Sequence, residues 1–211
     1  MADRKITEVT TAETLNNNDS FIVSQDSILK QISKSALLDI QYPVGATYVT
    51  STNENPASWL GGTWVLYDKQ FKERYVTDIT DFITLESNCS SASGSWARWH
   101  DHVIRVYLSF TPTVAITDST LSMYTLNKEM FGVSSFSRDQ TYSSFADGGQ
   151  VMVCFNITAA GLFTTRDIIV RGSSEASLAV GYSPAVVADI IIKYTDMLDS
   201  ACDKFFWRRT A

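Results

Sequence analysis

Residues 103–110 read Val-Ile-Arg-Val-Tyr-Leu-Ser-Phe, and this stretch decides the fold class. Ile104, Val106, Leu108 and Phe110 alternate with Val103, Arg105, Tyr107 and Ser109, the period of two expected of a strand with one buried face. Further strands are expected at 150–158 (QVMVCFNIT), 167–172 (DIIVRG), 176–182 (ASLAVGY) and 185–195 (AVVADIIIKYT). Asp147-Gly148-Gly149, Gly172-Ser173-Ser174 and Ser183-Pro184 separate them as turns. The stretch LSMYTLNKEMFG (121–132) reads as one short helix or an elaborated loop. No amphipathic helix of roughly 10–15 residues lies between strands, so an antiparallel sandwich or jelly-roll-like barrel is expected rather than a parallel α/β sheet.

Outward from this region the texture changes twice. Residues 40–75 carry Pro43, Gly45, Pro56 and Gly61-Gly62 among Tyr42, Tyr48, Trp59, Trp64, Tyr67 and Phe71. Glycine and proline set sharp turns while the aromatics supply burial, which reads as a compact knot of short strands. Trp59 and Trp64 are expected to clamp that knot, and Trp207 to join them. Residues 1–39 are polar; FIVSQDSILKQIS reads as two strands joined through Gln25-Asp26-Ser27, and SKSALLDI as a brief helix capped by Ser33 or Ser35. This zone is too small to hold a large core alone. The expected organisation is mainly β: residues 1–39 as a small attachment segment with a short helix, 40–75 as a connecting module, and 76–211 as the C-terminal β domain.

Composition excludes several classes. The chain has 211 residues, 45% of them hydrophobic and 19% charged, which excludes intrinsic disorder and a coiled-coil rod. Its net charge is −6, so no basic surplus exists to neutralise a phosphate backbone or an anionic membrane. No apolar run reaches the roughly 18 residues of a membrane span, and the N-terminus has no apolar signal core, so synthesis in a cytoplasm is expected. Cys89, Cys154 and Cys202 are odd in number and lack a CxxC spacing, so they read as free thiols, with Cys154 buried in its apolar strand. The sequons at Asn88 and Asn156 carry no weight without a secretory signal.

Catalytic signatures are missing: no GxSxG, Walker loop, HExxH or GxGxxG is present, and no enzyme is expected. His100-Asp101-His102 is the one metal candidate. On a strand, His100 and His102 would share a face, and three copies about a threefold axis would offer six nitrogens to a transition metal. The plainer reading makes them two partly exposed histidines flanking a turn before the 103–110 strand; no other cofactor is implied. Ser95-Trp96-Ala97-Arg98-Trp99 places two tryptophans around an arginine, suited either to stacking on a sugar or to capping the end of the β domain. Loops near 90–100, 111–120 and 133–149 are rich in Ser, Thr, Tyr, Asp and Trp. Trp96, Arg98, Trp99 and Tyr142 are therefore the contact candidates.

Tyr42-Pro43-Val44-Gly45-Ala46-Thr47-Tyr48, followed by Asn55-Pro56-Ala57-Ser58-Trp59-Leu60-Gly61-Gly62-Thr63-Trp64, resembles the YPVGSIY…NPS…GGTW module of phage and prophage tail-fibre, tail-collar and baseplate proteins. The ending Phe206-Trp207-Arg208-Arg209-Thr210-Ala211 is similar to the WKRTA-like terminus of such proteins, and the N-terminal zone resembles their virion-attachment start. Relatives often carry a glycine-rich, His-containing collar between these motifs. Here only 10 glycines occur in the whole chain, so the collar fold is not carried over.

The resemblance implies a virion structural protein of the tail fibre or baseplate tip, assembled in the bacterial cytoplasm and taking part in host-surface recognition. It implies a homotrimer whose residues 1–39 meet other virion proteins, with a host glycan or protein as a further partner, and neither nucleic acid nor membrane insertion. Pro43, Gly45, Trp59, Gly61, Gly62, Trp64 and Trp207 are then architectural. A non-receptor part (head fibre, capsid decoration or baseplate connector) is the first alternative. A cell-wall-degrading tip enzyme is the second, and it would need a carboxylate pair that the strands do not offer.

Overall fold

The computed structural model describes residues 20–25, 28–116, 120–146, 151–170 and 179–211. Strand takes 51% and helix 14%, so the chain is mainly β. In order the elements are β1 (Ser20–Gln25), β2 (Ile28–Ser33), α1 (Lys34–Gln41), β3 (Thr47–Thr50), α2 (Ala57–Leu60), β4 (Trp64–Phe71), β5 (Arg74–Val76), β6 (Ile83–Leu85) and β7 (Cys89–Arg98). They continue with β8 (Val103–Pro112), β9 (Leu121–Leu126), α3 (Lys128–Phe131), β10 (Gln140–Ala146), β11 (Val151–Ile157), β12 (Leu162–Val170), β13 (Ala185–Ile191) and β14 (Cys202–Arg209). No helix among the described residues is long and apolar enough to cross a membrane.

The chain divides into two compact units. Among the described residues, the first takes those up to Thr50, then Glu54–Tyr67 and Phe206–Ala211; the second takes Ser51–Asn53 and those from Asp68 to Phe205. This division differs from the boundaries expected at 39 and 75: the chain end is built into the first unit, in line with the expectation that Trp207 returns to the 40–75 module.

In the first unit, β1 and β2 pair antiparallel, as the 21–33 pattern predicts; the turn at residues 26–27 and the polar stretch 1–19 lie outside the described residues. Ser33 caps α1 by accepting the Ala36 amide on its Oγ at 3.2 Å, so of the two expected caps Ser33 serves. Strands β3, β14 and β4 form a sheet in that order.

The second unit is an antiparallel sandwich. One sheet runs β10-β11-β12-β9-β6 and the other β13-β8-β7-β5. The alternation that opened the sequence reading is realised in β8, where Ile104, Val106, Leu108 and Phe110 are buried. Their row meets the other sheet: the Phe110 ring lies 5.5 Å from that of Phe163 and 6.2 Å from that of Tyr124. Phe163 stacks in turn between Tyr124 at 4.4 Å and Phe155 at 4.7 Å. These aromatic pairs add to area burial in holding the sheets together.

Several sequence expectations are corrected here. Residues 121–126 form strand β9, and only Lys128–Phe131 are helical; pairing with β12 and β6 overrides the weak local pattern. Of the strand expected at 176–182, residues 179–182 form a turn with Gly181 at φ +84°, and 171–178 lie outside the described residues. Segment 90–100 is mostly strand β7 rather than a loop, and Gln140–Ala146 is strand β10. Cys154 is half-buried, because the inward parity of β11 belongs to Val151, Val153, Phe155 and Ile157.

Candidate functional site

The first unit is organised by a turn, a glycine and the chain end. The Ala46 amide donates to the Pro43 carbonyl at 2.8 Å, and Gly45 sits at φ +92°, a turn whose third position favours glycine. The Gly45 amide donates to the Arg209 carbonyl, and the Arg209 amide to the Ala46 carbonyl, each at 2.9 Å. On the other side, the Thr210 amide donates to the Thr63 carbonyl at 2.8 Å and the Thr63 amide to the Ala211 carbonyl at 2.6 Å. The end of β14 thus bridges both halves of the aromatic module.

Trp64 is buried, donates its indole N–H to the Gly61 carbonyl at 2.8 Å, and packs edge-on against Tyr42 at 6.0 Å and Tyr48 at 6.1 Å. Trp207 is buried and donates to Thr50 Oγ1 at 2.9 Å. Trp59 does not clamp this group: it is exposed on α2, and Tyr42 and Tyr48 take the expected place beside Trp64. Sequence reasoning also missed Arg209. Its buried guanidinium donates to the Tyr42 carbonyl at 2.5 Å and pairs with Asp39. Asp39 and Arg209 sit at opposite ends of the sequence, so no spacing rule relates them.

In the second unit the four contact candidates part company. Trp96 lies on the inward side of β7, while Trp99 follows the last residue of that strand, Arg98, and is half-buried. Trp96 is fully buried against Phe82 at 5.2 Å and Phe131 at 5.0 Å. Arg98 shares its side of β7, donating Nε to the Lys72 carbonyl at 3.0 Å and Nη1 to the Phe131 carbonyl at 2.7 Å. Burial, aided by the nearby charge of Arg74, lowers the pKa of Arg98. Tyr142 stacks on Phe155 at 5.3 Å and donates its hydroxyl toward Gln140 Oε1 at 2.8 Å and the Asp189 carbonyl at 3.0 Å. Burial, with Asp189 nearby, pushes its pKa up. Trp96 and Arg98 are therefore internal struts, and the expectation that they form a contact surface is corrected for these two, whereas Tyr142 is half-buried and lines an open cleft with Arg138, Thr141 and Asp189.

Trp99 remains, and it lies in a cleft on the outer face of the four-stranded sheet. Tyr75, Ser95, Ala97, Trp99 and Tyr107 line about 520 Å³ of open space. Register explains the grouping. Tyr75 pairs with Ala97, Ala97 with Arg105, and Arg105 with Asp189, forming one row across four strands; Ser95 pairs with Tyr107 in the row beside it. Ala97 is small and forms the floor, while Tyr75 (65% exposed) and Tyr107 (39%) stand up at the sides. Arg105 lies 5.3 Å from the Trp99 ring centroid and makes a two-pronged pair with Asp189, both contacts at 2.5 Å. That pairing with Asp189, reinforced by Tyr107, raises the pKa of Arg105. The alternation of β8 already places Tyr107 and Arg105 outward; nothing local announces Tyr75.

His100 and His102 lie in the turn between β7 and β8, with His102 at φ +64°, so the shared strand face on which the metal reading relied is absent. His100 Nδ1 bonds the Phe71 carbonyl at 2.7 Å, and its Nε2 lies 3.5 Å from Glu73. His102 Nε2 bonds the Lys69 carbonyl at 2.7 Å and lies 3.1 Å from Asp68. A ring nitrogen that donates to a carbonyl is not a free metal ligand. Among the described residues, no three His, Cys, Asp or Glu side chains gather in a metal-holding group.

Residues 37–94 match the model of a family described as the baseplate structural protein Gp10, C-terminal domain. The match supports a phage baseplate or tail protein. It runs from the middle of α1 into β7 and takes in Pro43, Gly45, Trp59, Gly61, Gly62 and Trp64; the chain end with Trp207 lies beyond it. The matching family is a structural one, and such a component meets other virion proteins. No curated protein and no solved structure matches the chain.

Proposed function

We propose that this chain is a tail-fibre or baseplate-tip component that takes part in adsorption to the host surface. The match over residues 37–94 carries this reading, since it sets a baseplate family on the turn-and-tryptophan module of the first unit. The outward aromatic cleft of the second unit supports a recognition role, because exposed aromatic patches on soluble proteins mark interaction sites. Homotrimerisation, with residues 1–39 meeting other virion proteins, belongs to the same proposal. Ile40, Val44, Val49 and Val65 support it as apolar side chains left exposed on the first unit.

The test uses virions with and without this chain. Labelled antibody is expected at the tail tip, particles lacking the chain are expected to adsorb poorly, and light scattering is expected to give the mass of three chains. Label on the capsid would overturn the tail placement. Particles that assemble without the chain and adsorb normally would overturn the recognition role. The exposed apolar residues of the first unit favour a connector as the second reading; loss of assembly, with adsorption of any assembled particles unchanged, would establish it.

A further inference from the structure

We infer that the cleft lined by Tyr75, Ser95, Ala97, Trp99 and Tyr107 binds a neutral pyranose ring of a surface oligosaccharide. This rests on the adsorption reading and names the ligand class for it. Three observations carry the chemistry. First, aromatic side chains from β5, from the end of β7 and from β8 rise around a floor made by Ala97, and two of them are more than a third exposed. The C–H face of a pyranose is apolar and weakly positive, so it complements the negative face of an aromatic ring. Second, the lining carries polar groups: the hydroxyls of Ser95, Tyr75 and Tyr107 suit the equatorial hydroxyls of a sugar. Third, Arg105, the cation that lies against Trp99, is already neutralised by Asp189 in a two-pronged pair. With a chain charge of −6, the site has no surplus positive charge for an acidic sugar or a phosphate.

The arrangement is also preformed. The side chains stand mainly on paired strands rather than on loops, and Arg105 braces Trp99 from 5.3 Å. Little conformational entropy is lost when a ring enters such a site. The space of about 520 Å³ falls within the range of roughly 300–1,000 Å³ usual for small-ligand clefts.

The experiment is saturation-transfer NMR on the full chain, with cellohexaose, maltohexaose, chitohexaose and mannohexaose as probes. Transfer to ring C–H protons of at least one probe is expected. Tyr75→Ala and Trp99→Ala should each weaken that probe about tenfold, the loss of one stacked ring. Trp59→Ala, at an exposed tryptophan of the first unit, should leave it unchanged. Tyr75 is 65% exposed, so its replacement does not disturb the core. Absence of transfer from all four probes overturns the inference. So does transfer that survives Tyr75→Ala and Trp99→Ala together, or a fall in oligomer mass in these variants, which would make the cleft a contact between copies. Virions carrying Tyr75→Ala with Trp99→Ala separate the two readings. Probe binding by the purified chain with unchanged adsorption would sink the adsorption role alone, whereas no probe binding with impaired adsorption would sink the saccharide alone.

Discussion

Gly62 and Ala211 approach so closely that a β-carbon on Gly62 would lie 2.7 Å from the Ala211 carbonyl oxygen. The same β-carbon would lie 2.7 Å from Nε of Arg209, so the last residues of the chain occupy the space a side chain would need. Gly61, at nearly the same φ (+70° against +72°), has nothing within 4 Å of its hypothetical β-carbon. The pair separates the two reasons for a glycine. Gly61→Ala should cost about 1–3 kcal/mol from the backbone alone, because φ +70° with ψ −174° is essentially reserved for glycine. Gly62→Ala should cost about 2–4 kcal/mol, because overpacking against β14 is added. Urea unfolding of both variants checks this; equal costs would mean that the close approach contributes nothing.

Trp207 supplies the second prediction. Its indole donates to Thr50 Oγ1 at 2.9 Å with the ring buried. A buried hydrogen bond of this kind contributes about 1 kcal/mol net. Trp207→Phe and Thr50→Val should each destabilise the protein, and the double variant should be less destabilised than the sum by about 1 kcal/mol. Additive losses would show that the ring's packing alone holds the chain end.

Much of the fold is legible in local pattern, and most of the site is not. The β8 alternation predicts both its buried row and the outward set that contains Arg105 and Tyr107, because period two is a property of one strand. Ser33 was legible as a cap for the same reason. Trp96 and Trp99 part company: Trp96 falls on the inward side of β7, whereas Trp99 follows the last residue of that strand and lines the cleft. Tyr75 enters the cleft only through pairing of β5 with β7. Arg209 reaches Tyr42 and Asp39 only because the chain returns to its beginning. Register between distant strands is set by the whole core, and no short window of sequence holds it.

Thiol chemistry gives a third expectation. Burial raises the pKa of the Cys89 thiol and pushes that of Cys202 up to about 11, and both side chains are buried. The thiolate is the reactive form, so both should react slowly in the native protein. Cys154 is half-buried on the outward parity of β11, beside the Ser143 hydroxyl at 3.4 Å. A disulfide-exchange reagent at pH 8 should therefore modify Cys154 first, with the other two released only on denaturation. Mass mapping of the first adduct checks the order; initial labelling at Cys89 or Cys202 would contradict the burial of those strands.

Lys69 and Asp199 give the second unit an acid-sensitive ion pair. Lys69 is 9% exposed, donates to Asp199 Oδ1 at 2.6 Å and to the Met197 carbonyl at 3.1 Å, and Asn53 donates to Asp199 Oδ2 at 2.6 Å. Partial burial raises the carboxyl pKa, but the bonds from Lys69 and Asn53 together with the lysine charge outweigh it, so the folded value lies below the ordinary carboxylate range. A depressed folded pKa gives stability that is complete above the unfolded value, about 3.9, and is lost as pH falls through the folded one. Unfolding free energy should therefore decline below about pH 4. Asp199→Asn should flatten that decline and cost about 1–3 kcal/mol near neutrality, since it leaves the buried ammonium without its counter-charge. Because Asp199 is half exposed, the cost belongs at the lower end of that range in high salt. Denaturation at pH 7 and at pH 3, for the parent and Asp199→Asn, decides the matter: an acid slope that survives the substitution unchanged would assign it to other carboxylates.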